Sequence, residues 1–261
     1  MARKQTYRLR YSNQLQNASD APIKPERKER LPIDPTIQQH YLEGKVILIN
    51  KPLHWTSFDV VRKLRSLLQI KKIGHAGTLD PLATGLLIVC TGKFTKKINE
   101  YMAQEKEYTG TITLGAVTPT YDLESEPEQQ KDYSHLTAAN IQNATKKFIG
   151  EIEQFPPIYS AIKKNGVALY ELARRGVEVE LTARKIFIKS FDISHLELPV
   201  VHFKVICSTG TYIRSLANDF GAVLACGAYL SSLCRTRIGE LKNENAITLE
   251  EFEKSLKIPT T

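Results

Sequence analysis

Lys71-Lys72-Ile73-Gly74-His75-Ala76-Gly77-Thr78-Leu79-Asp80-Pro81-Leu82-Ala83-Thr84-Gly85 is the densest segment of this 261-residue chain. Three glycines, a proline and two threonines in fifteen residues predict a constrained loop rather than a regular element. The loop joins two segments of different period. Upstream, Phe58, Val61, Leu64 and Leu68 recur at helical spacing, which predicts a helix over 57–68 capped by Thr56 or Ser57. Downstream, the short apolar run Leu86–Cys90 predicts a buried strand. A loop held between two such elements is a place where a fold presents reactive groups.

Working outward, Val46–Ile49 reads as a short buried strand and Tyr108–Val117 alternates as a half-exposed one. Thr118–His135 is a polar, acidic loop. Thr137 caps a helix that runs to Phe148 and stops at Gly150. Arg184–Leu196 and Val201–Cys207 alternate on either side of Pro199 and predict an antiparallel pair. Thr211–Leu224 reads as a helix, Ala228–Ile238 as a strand and Thr248–Leu256 as a short capped helix. Strands and helices mix without a regular strand–helix–strand rhythm. The expected class is therefore α+β, a mixed, largely antiparallel sheet flanked by helices and loops.

Residues 1–40 stand apart. They carry eight basic and four acidic residues, half of the chain's net charge of +8, with four prolines and no apolar period. Such a stretch cannot bury enough surface to offset its ordering entropy, so it is expected to be a disordered basic tail, with residues 41–261 as the folded unit. Tyr7 and Tyr11 among its arginines suit RNA contact; a solvated tail is the plainer alternative.

Hydrophobic residues at 42% and charged residues at 25% describe an ordinary soluble protein, and no apolar run approaches a membrane span. The basic balance suits a polyanionic partner. Cys90, Cys207, Cys226 and Cys234 form no CxxC pair and no zinc-finger spacing, so neither a disulfide framework nor a structural metal is expected. The amino terminus is basic without an apolar run, which excludes a secretory signal, and the expected location is the cytoplasm.

Local reasoning leaves the site residues open. Asp80, followed by proline, is read either as an ordinary turn aspartate or as a reactive carboxylate. The glycine spacing around it fits neither phosphate-loop pattern. Arg214, in Cys207-Ser208-Thr209-Gly210-Thr211-Tyr212-Ile213-Arg214, is a surface helix arginine or a buried fork on a carboxylate. Tyr108, opening a strand after Lys106-Glu107, is packing or a base-stacking ring. Pro156-Pro157-Ile158-Tyr159-Ser160-Ala161-Ile162-Lys163 is a surface turn or a phosphate-facing loop.

Together these stretches carry a resemblance. Gly74-His75-x-Gly77-x-Leu79-Asp80-Pro81-x-Ala83-x-Gly85-Leu86-Leu87 resembles the signature of the TruB family of tRNA pseudouridine synthases. Asn50-Lys51-Pro52 with Thr56-Ser57, Lys106-x-Tyr108, Pro157-x-Tyr159-Ser160-Ala161-x-Lys163, Gly210-Thr211-Tyr212-Ile213-Arg214 and Leu233-x-Arg235-Thr236 match in order, so the resemblance spans Leu42 to Thr248. His54 stands where the family pattern has glycine. Only about 20 residues follow Gly239, too few for the carboxy-terminal PUA domain that bacterial members usually carry.

The resemblance implies an isomerase that breaks the N1–C1′ bond of uridine 55 in the T-arm loop of tRNA, turns the base and rejoins it through C5. No atom is added and no redox change occurs, so no cofactor is implied. Asp80 would be the essential carboxylate, Arg214 its partner and Tyr108 the ring beneath a flipped-out uracil. His75 would fill the vacated stack, Lys163, Lys71 and Lys72 would meet phosphates, Tyr212 would touch RNA and Leu233 would line the uracil pocket. The implied partner is the tRNA T-arm stem-loop, with no membrane, no obligate protein partner and a monomeric enzyme. A tRNA-folding module without turnover and a guide-RNA-dependent relative are the competing readings.

Overall fold

The computed structural model describes residues 3–7, 33–160, 162–164 and 166–257. In chain order, β1 (Lys4–Tyr7) and α1 (Pro35–Glu43) precede β2 (Val46–Lys51), α2 (Ser57–Leu68), β3 (Ile73–His75) and β4 (Ala83–Thr91). Then come α3 (Ile98–Ala103), β5 (Lys106–Leu114), α4 (Ala138–Thr145) and β6 (Gly150–Gln154). An insert follows, made of β7 (Lys163–Lys164), β8 (Val167–Ala168), α5 (Leu169–Arg174) and β9 (Val179–Thr182). The chain continues through β10 (Arg184–Glu197), β11 (Val200–Cys207), α6 (Ile213–Val223), β12 (Ala228–Ile238), β13 (Leu241–Lys242) and α7 (Leu249–Ser255).

The main sheet runs β2-β4-β12-β5-β11-β10-β6, with β3 paired to β4 and β13 to β12. Every pairing in it is antiparallel except β4 with β12. The architecture is thus the α+β arrangement expected, with a largely antiparallel sheet. No helix among the described residues is long and apolar enough to cross a membrane.

Thr56 caps α2 in a reciprocal box: its hydroxyl accepts from Asp59 N at 3.0 Å, and Thr56 N donates to the Asp59 carboxylate at 3.0 Å. Val60, Val61, Leu64 and Leu68 bury one face of this helix against β2 and β4. Phe58 is not part of that face; it is 58% exposed, with the Arg65 guanidinium 5.9 Å from its ring. At about 100° per residue the buried arc centres near Ser57, and Phe58 falls more than a quarter-turn from that centre, outside the arc. β4 is buried on both faces from Leu86 to Cys90, as its unbroken apolar run predicts. A second core cluster, with Phe191, Phe203 and Phe220 in contact, packs α4 and α6 against β5, β10, β11 and β12.

Several boundaries differ from the sequence reading. The loop at 71–85 is not irregular throughout: β3 pairs its residues 73–75 with β4, and β4 begins at Ala83. β5 ends at Leu114 rather than Val117, and the helix after Thr137 gives way to a tight turn at Lys146–Phe148. α6 starts at Ile213, so Arg214 sits in its first turn rather than a turn inside it. Within residues 1–40, β1 is paired to β9, and α1 begins at Pro35, where Asp34 accepts from Thr36 N at 2.7 Å as its cap. Backbone pairing and capping supply order there that apolar patterning does not reveal. Residues 1–2 and 8–32, the rest of the expected tail, lie outside the described residues.

Candidate active site

Asp80 sits on the strand-to-strand connection between β3 and β4, and that connection is fixed from several sides. Leu79 N donates to Ser57 Oγ at 2.8 Å, and Ser57 Oγ donates to Leu79 O at 3.2 Å. His54 N donates to Pro81 O at 2.8 Å. His54 does this from φ +64°, the left-handed region where glycine is at ease, which accounts for glycine in the family pattern. The buried ammonium of Lys51 donates to the carbonyls of Pro52, Trp55 and Pro81. Burial pushes that lysine down to about 8, against the pull of Asp80. From the opposite side, buried Arg235 donates to Leu86 O at 2.8 Å and Gly77 O at 3.1 Å. The loop therefore has little freedom to relax, and the Asp80 carboxylate projects from a rigid frame.

Arg214 enters from the first turn of α6 and meets Asp80 as a fork. Nε donates to Oδ2 at 3.0 Å and Nη2 to Oδ1 at 3.2 Å. Nη1 donates to Thr120 O at 3.2 Å and Nη2 also to Tyr159 O at 3.0 Å. The start of α6 is pinned by Gln154, whose side chain accepts from Tyr212 N at 2.8 Å and donates to Tyr212 O at 3.0 Å. A second carboxylate, Asp122 Oδ2, lies 3.5 Å from Arg214 Nε. Burial pushes the Asp122 carboxyl up, opposed by its Thr120 hydrogen bond and by Arg214. The side chains of Arg214 and Asp122 are 6% and 5% exposed, whereas that of Asp80 is 36% exposed. The cluster is dry behind and open in front, at the Asp80 carboxylate.

The opening is a cavity of about 380 Å³, lined among others by Asp80, Tyr108, Tyr212, Arg214, Leu233 and Arg235. Tyr108 is buried, which pushes its phenol up, and the neighbouring Arg235 guanidinium pulls the other way. Burial likewise raises the Tyr212 phenol. Lys106 also lines the cavity; it donates to the carbonyls of Met102 and Gln104, and burial pushes it down to about 8.

Five of the residues singled out in sequence thus converge: Asp80, Arg214, Tyr108, Tyr212 and Leu233. His75 ends β3, half-buried and outside the cavity lining; burial and then Arg235 hold its imidazole below the usual range. Lys71 and Lys72 are exposed ahead of β3 and are also outside the lining. Lys163 lies on β7, and its side chain is outside the described residues. Sequence reasoning assigned no role to Lys51, Lys106 or Arg235, although each falls inside a quoted motif. Asp122 it missed altogether, because an aspartate in a polar loop carries no local mark of burial. Among the described residues no group of three or more His, Cys, Asp or Glu is placed to hold a metal, and all four cysteines are free thiols.

Residues 65–213 match the family model described as TruB family pseudouridylate synthase (N terminal domain), and residues 214–260 match the tRNA pseudouridylate synthase B C-terminal domain. The tRNA pseudouridine synthase B of Flavobacterium johnsoniae is 54% identical over 226 residues, covering 84% of this chain and 99% of that protein. That of Phocaeicola vulgatus is 47% identical, covering 83% and 95%. Among solved structures, a Cbf5-Nop10-Gar1 complex aligns at TM-score 0.65 and 31% identity over 84% of this chain. An H/ACA RNP bound to a substrate RNA containing 2'-deoxyuridine aligns at TM-score 0.62 and 26% identity over 97%. The chain spans only 56% and 62% of the lengths of the two aligned structures. The chain belongs to the TruB family and is a pseudouridine synthase.

Proposed function

We propose that this enzyme isomerises uridine 55 in the T-arm loop of tRNA to pseudouridine, as a monomer in the cytoplasm and without a cofactor. The observation that carries the proposal is the forked pair of Asp80 and Arg214 at the back of a cavity that also holds Tyr108. The reaction cuts N1–C1′, turns the free uracil and joins C5 to C1′. The proton lost from C5 is balanced by the one gained at N1, so the product is an isomer. Whether the carboxylate attacks C1′, attacks the base or takes the 2′ proton of the ribose, it must be ionised and aimed. Arg214 supplies the aim, since two parallel charge-assisted bonds fix the carboxylate plane.

The target base is flipped out of its loop to reach this depth, at a cost of a few kcal/mol. The face of Tyr108 offers the compensating stack. Burial keeps Tyr108 a neutral phenol at neutral pH, which suits stacking; as a relay it would give its proton to N1 of the freed base and take the C5 proton back, Arg235 beside it favouring the phenolate in between. Leu233 closes the apolar side of the cavity, which keeps water from the freed base. His75, Lys71, Lys72 and Lys163, outside the lining or undescribed in their side chains, are assigned to the RNA around the target rather than to the reacting base.

The decisive experiment is to incubate purified protein with an unmodified tRNA transcript and map pseudouridine by site. Modification at position 55 is expected. Binding of T-arm RNA without any pseudouridine would favour a tRNA-folding module instead, and modification elsewhere would redirect the substrate assignment.

A further inference from the structure

β9 has a single strand partner among the described residues, and it comes from the far end of the sequence. β1 pairs with it antiparallel, Lys4 opposite Thr182, Gln5 opposite Leu181, Thr6 opposite Glu180 and Tyr7 opposite Val179. Ala183 N donates to Arg3 O at 3.0 Å and extends the ladder by one bond. Among the described side chains at β1 the attachment is mainly through backbone: those of residues 3–6 are exposed, and the ion pair of Lys4 with Glu180 at 3.2 Å joins two exposed groups. A pair that open adds little.

β9 is also tied to the cavity. Val179 and Leu181 face inward and pack with Ile158, Leu169 and Ala173, against which Tyr159 and Ile162 also lie. That cluster backs one wall of the site: Ser160 and Ile162 line the cavity, and Tyr159 O accepts from Arg214 Nη2. An unbroken series of contacts therefore runs from the first residues of the chain to the guanidinium that holds Asp80.

We propose that β1 is a strap that positions the insert for RNA capture: by completing β9 it holds the wall that carries Ile158, Ser160 and Ile162 in its RNA-competent place. The proposal rests on the function assigned above. β1 touches no substrate; it acts through β9. A two-stranded ribbon is marginal on its own, so the strap lies on the side of easily opened structure. When it is lost, only a fraction of molecules keep the competent wall, and the apparent dissociation constant rises by the reciprocal of that fraction, while RNA once bound is turned over as before. A competent fraction of about a third to a tenth gives a KM about three- to tenfold higher with kcat within about twofold.

The test compares the full chain with a variant lacking residues 2–7 and with an Arg3→Ala/Lys4→Ala variant that keeps the backbone ladder. Hydrogen exchange reads the strap directly: in the deletion variant the amides of residues 179–182 should exchange about tenfold faster or more. KM for an unmodified tRNA transcript should rise as stated, and a peptide spanning residues 1–10, added in trans, should restore it, as strand addition allows. A scrambled peptide of the same composition should not, and the charge-only variant should stay within about twofold of the parent. Unchanged exchange at 179–182, faster exchange with unchanged KM, or rescue by the scrambled peptide would each overturn the proposal. A parent protein that makes no pseudouridine would instead remove the assigned function, since exchange at β9 is read without turnover.

Discussion

Asp122 Oδ2 stands 3.5 Å from Arg214 Nε, the nitrogen that donates to Asp80 Oδ2 at 3.0 Å. One guanidinium thus faces two carboxylates, one sealed in and one open to the cavity. The inner acid approaches the same nitrogen as Asp80 and limits where the guanidinium can settle. Asp122→Asn keeps the shape and removes the charge. It is expected to lower kcat about tenfold, equivalent to about 1.4 kcal/mol, with KM for tRNA little changed, because Asp122 meets no substrate. Steady-state kinetics on an unmodified transcript check this; an unaltered kcat would make Asp122 a packing residue only.

Asp80→Asn should abolish turnover, by about a thousandfold or more, while tRNA still binds. The amide is nearly isosteric, so the frame of Ser57, His54, Lys51 and Arg235 around the loop should survive. It cannot act as nucleophile or base, and its bond to Arg214 becomes that of a neutral acceptor. Filter binding and product mapping on the same preparation separate the two effects. Substantial pseudouridine formation by the variant would remove Asp80 from the chemistry.

Lys106 provides a pH signature. Its folded pKa is near 8, against 10.5 for the free side chain. Between these values the unfolded chain binds the extra proton, so this residue makes stability rise with pH from about 8 to about 10.5; below 8 its penalty is constant. Lys106→Met removes the titration, and the difference in Tm between variant and parent should shrink as pH climbs through that window. Thermal melts at several pH values decide it, the comparison cancelling the opposite trend from the buried phenols and thiols. A constant difference would place the Lys106 pKa outside the window.

Gly85 shows how closely the loop is packed. It holds φ +97°, and a Cβ there would lie 2.4 Å from Arg235 O, across the β4–β12 pairing. Gly85→Ala combines backbone strain with a clash against a strand that cannot shift without disturbing Arg235, and should cost about 1–3 kcal/mol or more. Urea denaturation measures it, and a variant as stable as the parent would mean the strands separate more easily than their ladder implies.

How much of this was legible in sequence follows physical lines. Strands β4, β10, β11 and β12 and helix α2 declare themselves because burial on a regular element leaves a period. Phe58 misled because apolar identity alone does not place a residue on the buried arc, and it lies outside that arc. Asp80, Tyr108 and Arg214 were ambiguous locally; only their assembly from three distant segments makes each one chemical. Asp122 and β1 were invisible for a related reason. A buried acid in a polar loop, and a strand attached by backbone pairing with Lys4, Gln5 and Thr6 exposed, owe their placement to partners more than 90 residues away.

Arg214 is the residue whose two substitutions should part most clearly. Its guanidinium makes four hydrogen bonds, two to Asp80 and one each to Thr120 O and Tyr159 O, and both the helix start and the insert depend on it. Arg214→Ala leaves those carbonyls and two carboxylates facing a void, a loss of the order expected for breaking a buried pair, about 3–5 kcal/mol, and the protein should melt markedly earlier. Arg214→Lys keeps the charge but not the fork. A single ammonium cannot reach both Asp80 oxygens and both carbonyls, so the fold should be retained while Asp80 loses its aim. The expected result is a near-parental Tm with kcat down about a hundredfold, roughly 2.7 kcal/mol in the barrier. Melting curves and single-turnover rates on the two variants give the answer: if Lys restores both stability and rate, the guanidinium geometry is not what orients Asp80, and charge alone is enough.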